Sequence, residues 1–251
     1  NISLTSGKSV AEHISFQLDQ GEMLSIVGSS GAGKTTICKA IMGLLGNTYR
    51  ADGEILFQGE DLLDLPERKR QTIYGKEICL IMQNPMTAFN PSIRVGRQME
   101  KTYLLHHGKT PRQEMQRLFA TILQKLGLED TQRILNSYPF TLSGGMLQRL
   151  MIAAALMCQP ALLVADEATT AIDACNRIGL MRELKSFCKD GMSVLFVTHD
   201  LRSASVSDRI LVMDRGQIVE QGKTEQILNT PKEDYTKYLL NACRLERREM
   251  S

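Results

Sequence analysis

The chain has 251 residues, 43% of them apolar, which suffices for one large domain with a sizeable core. A formal net charge of +2 gives no argument for a general nucleic-acid or membrane-surface role. Six cysteines with no C-x-x-C pair, and only four histidines, argue against a structural zinc site and for buried, reduced thiols in a cytosolic setting.

Residues 1–13 lack the continuous apolar stretch of a signal peptide. The longest apolar run, residues 150–158, is nine residues long, where a membrane-crossing helix takes about 20. The sequence therefore predicts a chain that does not cross a membrane by itself.

In chain order, Ile14, Phe16 and Leu18 alternate at period two and predict a strand. "MLSIVG" (23–28) predicts a short buried strand running into a glycine-rich turn, and residues 34–45 predict a helix. "GEILFQGED" and "EICLIMQ" read as two further strands. From about residue 84 to 142, strand signals vanish. Met115, Leu118, Phe119, Ile122, Leu123 and Leu126 keep helical spacing, with Thr110 as expected N-cap, Pro111 at the first helical position and Gly127 at the end. His106 and His107 read as solvated. Strands return at "ALLVADE" (161–167) and "SVLFVTHD" (193–200), with a helix between them. Residues 209–222 predict a hairpin turning at Arg215-Gly216, and the last residues predict a helical tail. Alternating strands and helices imply a largely parallel sheet covered on both faces, with ligands at the carboxyl ends of its strands.

The charged motifs fall at those ends. "GSSGAGKTT" (28–36) matches G-x-x-x-x-G-K-[ST] after a strand and before a helix. Its glycines allow a nest of inward amides, and the helix start adds positive charge for a phosphate. Lys34 is expected to reach the β- and γ-phosphates, and Thr35 to ligate Mg²⁺. "LLVADE" places Asp166 at a strand tip, where it can hold Mg²⁺, with Glu167 next to it as a carboxylate able to orient water. "VTHD" ends the next strand at His199, whose imidazole can donate to a γ-phosphate. Ser143-Gly144-Gly145 opens a long apolar helix that two glycines should disfavour. If Ser143 caps it, Met146 supplies no capping-box carboxamide or carboxylate, so the first amides are expected to be open to an anion.

The phosphate loop, "IMQNP", "LSGGM", "LLVADE", "TTAID" and "VTHD", in that order, resemble the nucleotide-binding subunit of an ATP-binding-cassette (ABC) transporter over nearly the whole chain. The resemblance implies an α/β P-loop NTPase with a mostly parallel central sheet, an antiparallel β-subdomain and an inserted α-helical subdomain. It implies a RecA-like core with β-subdomain (1–83 and 156–230), a helical subdomain carrying the signature motif (84–155) and a C-terminal helical tail (231–251). By the same resemblance, ATP is held by Gly28, Ser30, Gly31, Gly33, Lys34, Thr35 and Thr36, and Mg²⁺ by Thr35, Gln83 and Asp166. Glu167, His199 and Gln83 are the expected catalytic group. Ser143, Gly144 and Gly145 are expected to touch ATP held by a second cassette, and Asp173 to cross that dimer interface.

"NPMTAFNPS" and "TPKEDYTKYLL" resemble peptide and nickel importers, and "SGGMLQRLMIA" leans toward the metal-chelate, opine-metallophore type. The implied partners are two transmembrane permeases, a second ATPase subunit and an extracellular solute-binding protein, with no nucleic acid. The implied location is the cytoplasmic face of the membrane. Met146 and Ala168 depart from the commonest family pattern. The adenine-stacking aromatic of most members falls here near Thr5, with no aromatic from Asn1 to Ser15. A lone Cys243 near the end predicts no iron–sulfur cluster. The rival readings are a DNA-repair or translation ABC ATPase, an exporter, and a degenerate cassette. The separation of 109 positions from Lys34 to Ser143 leaves no room for a long coiled coil, and only one cassette is present.

Overall fold

A computed structural model describes residues 1–249 apart from 170, 171 and 173, without side chains at 174, 175 and 244–249. The chain opens with an antiparallel pair, β1 (Ile2–Leu4) and β2 (Ser9–Ala11). β3 (Met23–Val27) is buried at every residue and leads into α1 (Lys34–Ile41). β4 (Tyr49–Ala51) pairs with β1 to complete a three-stranded antiparallel sheet. β5 (Leu56–Phe57) and β6 (Glu60–Asp61) form a small hairpin, α2 (Glu67–Ile73) follows, and β7 (Ile78–Ile81) returns to the interior.

A helical layer comes next: α3 (Val95–His107), α4 (Arg112–Lys125), α5 (Thr131–Asn136) and α6 (Gly144–Met157). The chain then alternates through β8 (Leu162–Asp166), α7 (Ala174–Cys188), β9 (Ser193–Thr198), α8 (Leu201–Ala204) and β10 (Arg209–Asp214). It ends with β11 (Gln217–Lys223), α9 (Thr224–Asn229) and α10 (Asp234–Glu249).

The six-stranded sheet has the order β11-β10-β3-β9-β8-β7, parallel except where β11 folds back on β10. Its central strands β3 and β9 are buried at every residue because both faces are covered, as expected of parallel strands. On one face, Leu163, Ala165, Val194 and Phe196 pack with α3, α4, α6 and α7. On the other, Leu24, Ile26, Val164 and Leu195 pack with α1 and the small antiparallel sheet. Phe196 is fully buried, and truncating such a residue to alanine costs about 3–5 kcal/mol.

Several local expectations change. Ile14, Phe16 and Leu18 do pack against the second cluster, but residues 12–22 join no strand. His13 adopts φ 53°, and this left-handed residue turns the chain off the β1–β2 ladder. "GEILFQGED" is a hairpin rather than one strand, because Gln58 (φ 52°) and Gly59 (φ 83°) make the tight turn that joins paired strands. Thr110 does not cap α4: Pro111 occupies the cap position and no side-chain cap bond forms. His107 is not simply solvated. Its ring stacks on Tyr103 with centroids 4.3 Å apart, and Nε2 lies 3.1 Å from the Met157 carbonyl, tying the ends of α3 and α6 together. Cys38, Cys79, Cys158 and Cys188 are buried and none of these four forms a disulfide.

Candidate functional site

Register brings the site together. Val27 pairs with Thr198, and Asp166 pairs with Val197. The residues that follow each strand, Gly28, Glu167 and His199, therefore leave the sheet at one edge. β7 lies beside β8 with Ile81 opposite Ala165, so Gln83 arrives at the same edge two residues later.

The phosphate loop leaves β3 and enters α1 through residues that only glycine suits. A Cβ on Gly28 would collide with the Met213 carbonyl. Gly33 sits at φ 95° as the N-cap of α1, and no side chain caps that helix start. The first amides of α1 are thus left for an anion. Lys34 folds back over the loop, donating from Nζ to the Gly28 carbonyl at 2.9 Å and to the Ser29 carbonyl at 2.8 Å. Burial pushes its ammonium below the usual lysine range, and attraction by Glu167 and Asp166 opposes this. Ser30, Gly31 and Thr35 lie exposed on the outer side of the loop, and Thr36 is half-buried.

Thr35 Oγ1 donates to Asp166 Oδ1 at 3.2 Å. Burial pushes the Asp166 carboxyl above its ordinary range, the Thr35 hydrogen bond pulls it down, and the neighbouring Glu167 charge pushes it up again. Glu167 is clasped from both sides. Gln83 Nε2 donates to Oε2 at 2.8 Å, and His199 Nδ1 lies 3.2 Å from Oε1. The Glu167 amide continues the sheet by donating to the Val197 carbonyl at 2.8 Å, yet its φ is 49°. A left-handed glutamate costs energy unless its surroundings hold it there, and such strain clusters at functional positions. The turn aims the carboxylate back across the strand ends toward Gln83 and His199.

Gly28, Lys34, Thr35, Asp166, Glu167, Gln83 and His199 therefore form one connected group. Ser143, Gly144 and Gly145 stand apart at the start of α6, with no hydrogen bond to that group among the described residues. The expectation that the first amides of α6 lack a side-chain partner changes in part. The Ser143 hydroxyl accepts from the Met146 amide at 3.3 Å, an ordinary serine cap. Ser143 and Gly144 remain exposed. Asp173 lies outside the described residues.

Two supporting residues escaped the sequence reading. Asp200, next to His199, caps α8 by accepting from the Arg202 amide at 2.9 Å, and it also accepts from the Ser203 hydroxyl and from Arg177 Nη1 at 3.0 Å. Burial opposes its charge, but these hydrogen bonds outweigh burial and hold the carboxyl below its ordinary range. Arg177 also donates to the Ile172 carbonyl, so it joins the segment after β8 to the turn after β9. An aspartate directly before a helix is a cap signal that could have flagged Asp200; nothing local could have flagged Arg177 as its partner.

Comparison with known proteins identifies the family. The family model described as "ABC transporter" matches residues 11–170. The chain is 41% identical over 230 residues to the metal-staphylopine import system ATP-binding protein CntD of Staphylococcus aureus, covering 91% of this chain and 84% of that protein. It is 42% identical over 231 residues to the oligopeptide transport ATP-binding protein OppD of Bacillus subtilis, covering 90% of this chain and 64% of that protein. Among solved structures, the ATP-binding cassette MJ0796, a dimer in a post-hydrolysis state bound to ADP and Pi, superimposes with a TM-score of 0.76 at 28% identity, over 86% of this chain and 90% of that one. With the phosphate loop, the paired carboxylates and the histidine converging at one sheet edge, the chain belongs to the ABC transporter family as an ATP-binding, ATP-hydrolysing subunit.

Proposed function

We propose that this chain powers uptake of a metal chelate, with Glu167 as the group that activates water. The chain is the ATPase subunit of an importer. The observation that carries the catalytic reading is the Glu167 carboxylate held between Gln83 and His199 at the strand ends. A carboxylate fixed by two neighbours is pre-oriented to accept a proton from water, and His199 and Gln83 keep it in place. Gly28, Ser30, Gly31, Gly33, Lys34, Thr35 and Thr36 bind the ATP phosphates through loop amides, hydroxyls and the Lys34 ammonium. The Lys34 ammonium, held by the Gly28 carbonyl, has further N–H donors with which to meet the β- and γ-phosphates.

The residues present fit Mg²⁺. Thr35 Oγ1 and Asp166 Oδ1 lie 3.2 Å apart, and hydroxyl, carboxylate and the Gln83 amide oxygen are hard donors of the kind this ion takes. When bound, the ion neutralises phosphate charge. Ser143, Gly144 and Gly145 contact the ATP of a second cassette, and Asp173 lies at the interface between the two. That partner requirement accounts for a helix that begins on an exposed Ser143 and Gly144 although Ser143 caps it.

The metal-chelate substrate is supported by CntD, whose name refers to metal-staphylopine import and of which this chain spans 84%. Peptide import is the second reading, supported by OppD at 42% identity, of which the chain spans 64%. The partners are two permeases, a second ATPase subunit and an extracellular solute-binding protein, and the chain sits peripherally on the cytoplasmic face of the membrane. Among the described residues no helix is long and apolar enough to cross a membrane. Co-purification from the native cell, followed by ATP-dependent uptake of a nickel chelate and of a labelled oligopeptide into vesicles, tests the reading. Chelate uptake that stops with Lys34→Ala supports it. Peptide uptake alone replaces the substrate, and association with DNA or ribosomes instead of a permease overturns the importer reading.

A further inference from the structure

The tail helix α10 touches the nucleotide loop, and nothing in the roles above uses it. Tyr235, in its first turn, accepts a hydrogen bond at its hydroxyl from the Ser29 amide at 3.1 Å. Ser29 belongs to the phosphate loop. The peptide plane between Gly28 and Ser29 is thereby held from both sides. Its N–H points to Tyr235, and its carbonyl accepts from Lys34 Nζ at 2.9 Å. A peptide unit is planar and trans, so its N–H and C=O point in opposite directions and turn together. Fixing the N–H on Tyr235 therefore fixes the carbonyl that holds the Lys34 ammonium.

The helix that carries Tyr235 is itself anchored at three places. Glu220 of β11 accepts from the Lys232 and Glu233 amides at 2.8 and 3.2 Å, pinning the approach to the helix. Tyr235, Leu239, Leu240 and Cys243 pack on Val27, Leu201, Ala204, Ile210, Val212 and Ile227. Val27 is the last residue before the phosphate loop. Farther along, Arg202 Nη2 donates to the Cys243 carbonyl at 3.0 Å, three residues after His199 in sequence. One helix thus bears on the loops that carry both Lys34 and His199.

We propose that Tyr235 is a positioning residue for ATP binding: through the Ser29 amide it sets the 28–29 peptide and hence Lys34, and α10 is the strut that holds it there. This rests on the phosphate loop being the ATP site. Binding free energies are reciprocal, so ATP binding must in turn tighten α10 on the core.

The test uses the full chain and ATP itself. Tyr235→Phe keeps the ring and its packing and removes only the hydroxyl. Tyr238→Phe is the control, since Tyr238 stacks on Tyr235 but is 66% exposed. The expected result is a Kd for ATP raised about three- to tenfold in Tyr235→Phe, the range of one hydrogen bond. The midpoint of thermal unfolding and the turnover at saturating ATP should stay at wild-type values, with Tyr238→Phe unchanged. In wild type, ATP should slow hydrogen exchange of residues 234–243, and this slowing should shrink in Tyr235→Phe. An unchanged Kd in Tyr235→Phe, or a tail whose exchange ignores ATP in wild type, overturns the proposal. Loss of melting temperature and turnover together also overturns it, because the tyrosine would then be structural only. Failure of wild type to bind ATP overturns instead the site reading beneath it.

Discussion

Replacing Glu167 by glutamine preserves length and shape and removes one negative charge. Gln83 Nε2 donates to one oxygen at 2.8 Å, and His199 Nδ1 lies 3.2 Å from the other. A glutamine can keep both contacts: its oxygen accepts from Gln83, and its NH₂ donates to Nδ1 once His199 carries its proton on Nε2. The cost is the difference between a charge-assisted and a neutral hydrogen bond, about 1 kcal/mol. Relief at Asp166, whose carboxyl the Glu167 charge pushes up, works the other way. Net stability should therefore change by less than about 1 kcal/mol, or about 2–4 °C in melting temperature for a domain of this size. Hydrolysis is different, because an amide cannot take a proton from water. Removal of a general base lowers rate by about 10²- to 10⁴-fold. Phosphate release at saturating ATP, measured beside ATP binding, should show retained binding and lost turnover. Turnover within tenfold of wild type would refute Glu167 as the base.

Arg177→Met removes the guanidinium that joins Asp200 to the Ile172 carbonyl, and should destabilise by about 1–3 kcal/mol in chemical denaturation. Because the Asp200 carboxyl is held below its ordinary range, its contribution is present above the unfolded carboxyl pKa and is lost as pH falls through the folded one. The wild-type advantage over Arg177→Met should accordingly be full at pH 7 and shrink below about pH 4. Gly28→Ala drives a methyl into the Met213 carbonyl, and should lower stability by about 1–3 kcal/mol and weaken ATP binding; unchanged ATP binding would contradict the loop geometry. Burial pushes the Cys188 thiol up to about 11 and raises Cys38 further. At pH 8 both should react with a thiol reagent at least about a hundredfold more slowly in the native chain than in denaturant, Cys38 the slower of the two, since the unfolded thiol pKa is near 8.5; mass spectrometry of labelled peptides checks this.

The residues of the candidate site that converge at the sheet edge were legible because each sits in a short sequence pattern whose local chemistry needs it. Glycines at Gly28 and Gly33 before Lys34-Thr35 state the loop. A buried strand ending in Asp166-Glu167, and another ending in His199, state the carboxylates and the histidine. Glu167 also shows the limit. Its identity was readable, but its left-handed φ and its place between Gln83 and His199 come from strand register, since Asp166 pairs with Val197. The strand expected at Ile14–Leu18 failed for a related reason. Alternation records which side chains need apolar cover, and they have it; pairing depends on a neighbouring ladder, which the turn at His13 takes away. His107 likewise looked solvated in a polar stretch until α3 and α6 brought Tyr103 and the Met157 carbonyl beside it.

By itself the sequence determined the phosphate loop, the carboxylate pair, the central strands β3, β7, β8 and β9 with the β10–β11 hairpin, and the apolar faces to be buried. All of these depend on chemistry within about ten residues. Only the tertiary structure decided that Arg177 meets Asp200 across 23 residues, that Gln83 meets Glu167 across 84, and that Tyr235 meets Ser29 across 206. Such contacts leave no periodicity in the chain, because they arise where separate elements happen to end side by side once the core has closed.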